Sequence, residues 1–283
     1  MNAILKNKFL KTKIFSVVFK IPKSKFLTYS DVALKIGNLK AQRAVANILS
    51  KNKNPKIPCH RVILKSGEVG GYFRHRSWDY KKAVKLLSEG AIGVIPTDTI
   101  YGICASALNK KAIEKVYKLR KRNPKKPCII LISSIRDLKK FDVKLKNRQI
   151  KILKKIWPSK ISVVLPSKSS KFFYLHRGTK TLAFRLPKNK LILEILKISG
   201  PLVAPSANFE DKNPAKTINE AKKYFKNQVF YLNRGELKNK PSTIIDLTAN
   251  KIKIIRKGAD FNKISTSDVD INIKGLAHPF SVN

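Results

Sequence analysis

Apolar positions along the chain follow two different rhythms. Up to about residue 76 they recur at helical spacing in short bursts: Val32, Ala33 and Ile36 after Ser30, stopped by Gly37, then Leu39, Val45, Ile48 and Leu49. Two short helices joined by a tight Gly-containing turn predict a helix-turn-helix, although plain core helices produce the same pattern. From about Ser77 amphipathic helices alternate with apolar runs. DYKKAVKLLSEG, KKAIEKVYKLR, the region Asn147 to Ile156, KLILEILKIS and INEAKKYF read as helices. AIGVIP, PCIILIS, ISVVLP, TLAFRLP, PLVAPS, QVFYL, STIIDLT and KIKIIRKG read as strands. This alternation predicts an α/β layer with a substantial sheet. Phe261 to Asn283 has no clear period and is expected to be a tail or docking segment.

Length and composition sharpen the picture. The 283 residues are about twice the usual domain size, so two domains are expected. A hydrophobic content of 43% is enough for a sizeable core. The net charge of +44 attracts phosphate-rich partners, but it is spread along the whole chain, with 17 basic and 3 acidic residues in the first 80 positions. A Lys-, Asn- and Ile-rich composition also follows from an AT-rich coding sequence, so charge alone does not establish nucleic-acid binding. Three cysteines, Cys59, Cys104 and Cys128, without a CxxC pair, argue against a disulfide framework or a Cys-rich zinc site and for a reducing cytoplasm. The Lys-broken N-terminus lacks a signal-peptide core, and the Gly90 to Leu108 run carries Pro96 and Asp98, so no membrane association is expected. Neither GxGxxG nor GxxxxGK[ST] occurs.

In the N-terminal part the chemistry concentrates in Ile57-Pro58-Cys59-His60-Arg61-Val62. A cysteine acts as a nucleophile only as its thiolate, which a neighbouring imidazole and guanidinium favour. With IPKSKFLTYSDVALKIGNLKAQRAVANIL before it and SGEVGGY after it, residues 12–90 resemble the C-terminal domain of the alkylguanine-DNA alkyltransferases. That resemblance implies a small helical, winged-helix-like domain on double-stranded DNA. In it Arg43 would fill the space of an extruded base, Tyr29 would rotate the phosphate, and Asn54 would line the pocket wall. Cys59 would accept the alkyl group and His60 would relay its proton, with Glu89 the candidate to orient it. The loop between Asn54-Pro55 and Pro58-Cys59-His60 is about three residues shorter than the family's.

In the C-terminal part cations and small polar groups stand at expected element ends. They are Arg120, Arg122 and Lys126 after one helix, Arg185 after one strand, Ser206 and Asn208 after another, and Arg256 near the end. Such a set suits a polyphosphate, because Arg pairs bidentately with phosphate oxygens; a solvated basic rim is the alternative. The motifs IPTDTIYGI, LRKRNPKKPCIILI, WPSKISVVLP, LAFRLP, LVAPSANF, PSTIIDL and IIRKGA resemble, in order and spacing, the TsaC/YrdC family of threonylcarbamoyl-adenylate synthases over about residues 80–260. The resemblance implies a YrdC-like α/β domain with a twisted sheet. It implies condensation of L-threonine, bicarbonate and ATP, with Mg2+, into threonylcarbamoyladenylate and pyrophosphate, for downstream tRNA-modification proteins. ATP would lie on Arg120, Arg122, Lys126, Ser162, Ser206, Asn208 and Arg256, and threonine on Thr99, Tyr101, Arg185 and Ser242; no metal ligand is assigned. FEDKNPAKT replaces the family's Gly-containing turn after Ser-Ala-Asn, and Trp157-Pro158-Ser159-Lys160-Ile161-Ser162 its Trp-Pro-Gly-Pro-Leu-Thr; neither change removes a charged contact. Related hydrogenase-maturation carbamoyltransferases add Cys-rich zinc fingers, which three cysteines do not supply.

The expected organisation is an alkyltransferase-like domain over 1–78, a synthase domain over 79–260 and a tail over 261–283. The rival reading is a DNA-lesion repair or recognition protein with a non-catalytic, RNA-binding YrdC-like domain.

Overall fold

The computed structural model describes residues 3–70, 76–264 and 269–270. The Tyr72 end of SGEVGGY and most of the expected tail lie outside the described residues.

The N-terminal unit packs α1 (Ala3–Phe19), α2 (Tyr29–Lys35) and α3 (Gln42–Ser50) around Ile14, Val18, Val32, Ala33, Val45 and Leu49. Helix α1 is longer than its Lys-broken apolar runs suggest. Ile14 and Val18, one turn apart, are fully buried, while Lys11 and Lys13 stay exposed, so the lysines shape one face rather than end the helix. Thr28 caps α2: its hydroxyl accepts from the Asp31 amide at 3.1 Å and the Asp31 carboxylate accepts from the Thr28 amide at 2.7 Å. A 3-10 turn at Leu39–Ala41 leads into α3, completing the expected helix-turn-helix. The two strands β1 (Leu27–Thr28) and β2 (Val62–Ile63) pair in parallel and bring the Cys59–Arg61 turn against it.

The second unit is a mixed α/β layer. Helices α4 (Arg76–Ser88), α5 (Lys110–Arg120), α6 (Asn147–Ile156), α7 (Phe173–His176), α8 (Lys190–Ser199) and α9 (Ile218–Phe225) alternate with strands. Those strands are β3 (Gly93–Pro96), β4 (Tyr101–Ser106), β5 (Ile129–Leu131), β6 (Ile161–Pro166), β7 (Thr181–Arg185) and β8 (Leu202–Val203). They continue with β9 (Phe230–Tyr231), β10 (Thr243–Asp246), β11 (Ile252–Arg256) and β12 (Val269–Asp270). Among the described residues these ten strands form one sheet in the order β12-β11-β10-β6-β7-β5-β8-β4-β3-β9. Strand β12 pairs with β11, so part of the segment without periodicity extends the sheet.

The 78/79 boundary expected from sequence falls inside α4, which serves both units. Toward the N-terminal unit, Lys82 Nζ donates to the Tyr29 hydroxyl and to the Val62 carbonyl, each at 3.0 Å. On its other side Ala83, Val84, Leu86 and Leu87 join a core containing Ile192, Ile195 and Leu196 of α8, and Ile63 and Val69 reach the same core from the N-terminal unit. The chain after β2 also docks on the sheet: the Val69 amide donates to the Tyr231 carbonyl at 3.0 Å, the Tyr231 amide donates to the Gly67 carbonyl at 2.9 Å, and Glu68 pairs with Lys222 at 2.8 Å.

Candidate functional site

A cleft of about 680 Å³ opens on the large sheet, and residues far apart in sequence meet there. Arg120 arrives at the end of α5, Arg185 at the end of β7, Ser206 after β8, Ser242 before β10 and Arg256 at the end of β11; Thr99, Arg122, Lys126 and Asn208 complete this part of the wall. The expected polyphosphate set is therefore convergent. Two expected members stand behind the wall instead. Ser162 is fully buried and donates to the Ser242 hydroxyl at 3.0 Å. Tyr101, also fully buried, donates to the Gly235 carbonyl at 2.7 Å and accepts from the Arg234 amide, so it ties down the 233–235 loop rather than lining the cleft.

Three of the cleft's four arginines are held by neutral oxygens. Arg120 Nε donates to the Asn208 carbonyl at 3.1 Å, and its Nη2 lies 3.3 Å from both the Ser206 hydroxyl and Asn208 Oδ1. Its Nη1, also buried, finds no hydrogen-bond partner among the described residues. Arg122 donates to the carbonyls of Lys126 and Pro127, and Arg256 to the Ser242 carbonyl and hydroxyl. Burial, with Arg122 alongside, pushes the Arg120 guanidinium down to about 10; burial, with Arg185 nearby, does the same to Arg256. Carbonyl oxygens aim these cations without neutralising them, so the cleft retains strong attraction for an anion. Gly258 lets β10 and β11 close behind Ser242: a Cβ there would stand 2.3 Å from the Pro241 carbonyl oxygen.

Arg185 is the exception. Its Nη2 lies 3.0 Å from Asp98 Oδ1, both groups deeply buried, in an ion contact that is not aligned as a hydrogen bond. Arg185 Nε has no partner among the described residues, leaving a donor beside Thr99. The carboxylates do not make a metal cage: Asp98 faces Arg185, Glu210 faces Lys126 at 3.1 Å, and no group of three His, Cys, Asp or Glu suited to a metal occurs among the described residues. The described residues thus do not fit Mg2+ as a resident ion.

The Cys59 turn is a separate site, in which the arginine is paired with a carboxylate. His60 Nε2 lies 2.9 Å from Glu89, and Arg61 donates to both Glu89 oxygens at 2.8 Å, so the Glu89 expected from sequence does meet His60. Burial pushes the Glu89 carboxyl up, but the Arg61 and His60 contacts outweigh it and hold the group below its usual range. Burial pushes His60 down against the pull of Glu89. Burial also raises the half-buried Cys59 thiol, against an Asn52 hydrogen bond and the positive charges of Lys82 and Lys85. The amide nearest the sulfur is therefore Asn52, whose Nδ2 lies 3.2 Å from Sγ, and not Asn54, which is exposed and accepts from the Lys56 amide. Asn52 and Asn54 are tied together, the Asn54 amide donating to Asn52 Oδ1 at 3.1 Å and Asn52 Nδ2 lying 2.9 Å from the Asn54 carbonyl. Arg43 is exposed on α3, whereas Tyr29 is buried against Lys82.

Comparison with known proteins follows this division. The family model Sua5_yciO_yrdC, described as telomere recombination, matches residues 85–258, and one described as 6-O-methylguanine DNA methyltransferase, DNA binding domain, matches residues 10–91. The threonylcarbamoyl-AMP synthase of Pyrococcus abyssi is 28% identical over 188 residues, 65% of this chain and 55% of that protein. The putative threonylcarbamoyl-AMP synthase of Methanocaldococcus jannaschii is 31% identical over 198 residues, 69% of this chain and 92% of that protein. The crystal structure of P. abyssi Sua5 complexed with L-threonine aligns at a TM-score of 0.60 and 28% identity, covering 64% of this chain and 54% of that one. The chain thus spans about half the length of the P. abyssi relative. No helix among the described residues is long and apolar enough to cross a membrane. With its model matched along residues 85–258 and the cleft inside that span, the chain belongs to the Sua5/YciO/YrdC family.

Proposed function

We propose that the large unit is an L-threonylcarbamoyladenylate synthase. It would condense L-threonine, bicarbonate and ATP into threonylcarbamoyl-AMP, pyrophosphate and water, supplying downstream tRNA-modification proteins in a reducing cytoplasm. The observation that carries this reading is the meeting of Arg120, Arg122, Lys126, Arg185 and Arg256 with Ser206, Asn208 and Ser242 in one cleft. The reaction asks for positioning: a carbamate oxygen, formed from the threonine amine, attacks the α-phosphorus in line while pyrophosphate leaves. Arg120, Arg122, Lys126 and Arg256 would take the charge of the departing pyrophosphate, and Arg120 Nη1 offers a donor that no described residue uses. Arg185, oriented by Asp98 beside Thr99, would take the threonine carboxylate. Magnesium would enter on the phosphates of the substrate. The test is pyrophosphate release from ATP, which must require both threonine and bicarbonate; release that ignores either rejects the reading.

For the N-terminal unit we propose a winged-helix-like reader of double-stranded DNA, with the helix-turn-helix and its exposed Arg43 on the duplex and Cys59 as alkyl acceptor. The sulfur would form a bond to the alkyl carbon as that carbon leaves the guanine oxygen, and the thiol proton would pass by way of His60 to the released guanine. The His60 contact with Glu89 supports this over recognition without transfer. Labelling of Cys59 by a benzylated guanine in duplex DNA tests it; binding without labelling leaves only a reader.

A further inference from the structure

The turn after Ser206-Ala207-Asn208 carries an anion into a largely cationic cleft. Asp211 takes a left-handed backbone at φ +62°, a conformation for which glycine is favoured, and the turn it closes presents the Glu210 carboxylate. The Glu210 amide donates to the Arg120 carbonyl at 2.9 Å, fixing the turn against the end of α5. The Glu210 carboxylate then spans the mouth of the 121–128 loop: Oε1 pairs with Lys126 Nζ at 3.1 Å, and Oε2 accepts from the Asn123 amide. Burial raises this carboxyl, but the Asn123 amide, Lys126 and Arg122 outweigh it and hold the group below its usual range, so it is ionised at neutral pH. The groups facing it are Arg120 at the end of α5, Asn123, Arg122 and Lys126 on the loop, and Asp211 and Lys212 on its own turn.

A lysine ammonium and a free backbone amide are the two donors a phosphate would use, and here one carboxylate occupies both. We propose that Glu210 is an internal counter-anion that a nucleotide polyphosphate must displace to bind, and that it sets the affinity of this cleft for ATP and pyrophosphate. This rests on the nucleotide reading of the cleft. Displaced by triphosphate, the carboxylate loses its partners; when pyrophosphate is formed, it competes again for Lys126 and Asn123 and speeds departure of the product. Glu210 is thus a positioning residue acting through Lys126, touching neither reacting atom.

Isothermal titration of the full chain with ATP–magnesium and with inorganic pyrophosphate tests this. Glu210→Gln keeps a side-chain oxygen for Asn123 but removes the charge, and is expected to bind both ligands about tenfold tighter, the change that 1.4 kcal/mol produces. In turnover its KM for ATP falls while kcat does not rise, whereas Glu210→Asp, which keeps the charge, stays near the original affinity. Glu210→Ser is titrated in parallel, and thermal melting establishes that each variant is folded. Unchanged or weaker binding by the folded neutral variants overturns the counter-anion role alone. A parent protein that binds neither ATP nor pyrophosphate overturns the nucleotide reading, and this inference with it.

Discussion

The cleft on the large sheet and the Cys59 turn are both built on arginine, yet they treat its charge in opposite ways. At the turn, Arg61 is neutralised on both sides by Glu89, which also takes His60. In the cleft, Arg120, Arg122 and Arg256 are aimed by carbonyls and hydroxyls that supply no negative charge. A neutralised cluster stiffens a local structure and adds little net charge beside the sulfur. An uncompensated cluster gives up stability in the free protein for affinity when an anion arrives. Glu210 stands between these extremes, an anion lent to the cleft by the chain itself.

The largest effect expected from breaking this contrast is at Cys59. Cys59→Ala should abolish labelling by benzylated guanine while duplex DNA still binds in a mobility-shift assay, and retained labelling would move the nucleophile elsewhere. Next comes Arg122→Ala, expected to slow pyrophosphate release by about 10²–10³-fold, the range for removing one donor to developing charge. Affinity for nucleic acid should stay nearly intact, since pocket neutralisation is local; equal loss of both would turn the cleft into a general basic surface.

The shared helix sets a limit on the contrast, because its packing against both units is expected to couple them in folding. Leu86→Ala, at a fully buried position on α4, should cost about 2–5 kcal/mol and lower one common unfolding transition followed by both fluorescence and calorimetry. Two separated transitions would show that α4 joins the units without coupling them. The smallest effect is with pH. His60 is held below its ordinary 6.5, so the unfolded chain takes that proton first, and stability present above about 6.5 is lost as pH falls through the folded value. Glu89, held below its ordinary 4.5, adds loss in the same direction at more acid pH. A melting temperature that falls from pH 7 to pH 5, and falls less in His60→Gln, fits; a rise would contradict the neutral His60.

Much of this was readable in the chain. Helices α5, α6, α8 and α9 match the expected segments at 110–120, 147–156, 190–199 and 218–225, because amphipathic spacing coincides with capping by Asn109, Asn189 and Thr217 in three of them. Strand β4 gave no such signal: Gly102, Cys104 and Ala105 are small and buried on both faces, so neither alternation nor bulk marks it. The cationic residues of the cleft were found by motif, but their order of approach was not, and Tyr101 and Ser162 proved to support the wall. Asn52 was missed because two asparagines stand two positions apart before Cys59, and only the folded turn shows that Asn52 reaches the sulfur. Glu210 was missed because a substituted glycine turn reads as a change of backbone, and the added charge becomes meaningful only once Lys126 is seen beside it.

The most direct test of the central claim, that the convergent cations form a site for adenylation, is mass spectrometry of the protein incubated with ATP, isotope-labelled threonine and bicarbonate. The account predicts a mixed anhydride carrying the threonine label, the bicarbonate carbon and AMP, lost in Arg122→Ala. Unchanged ATP, or AMP and ADP formed without any labelled adduct, would contradict it.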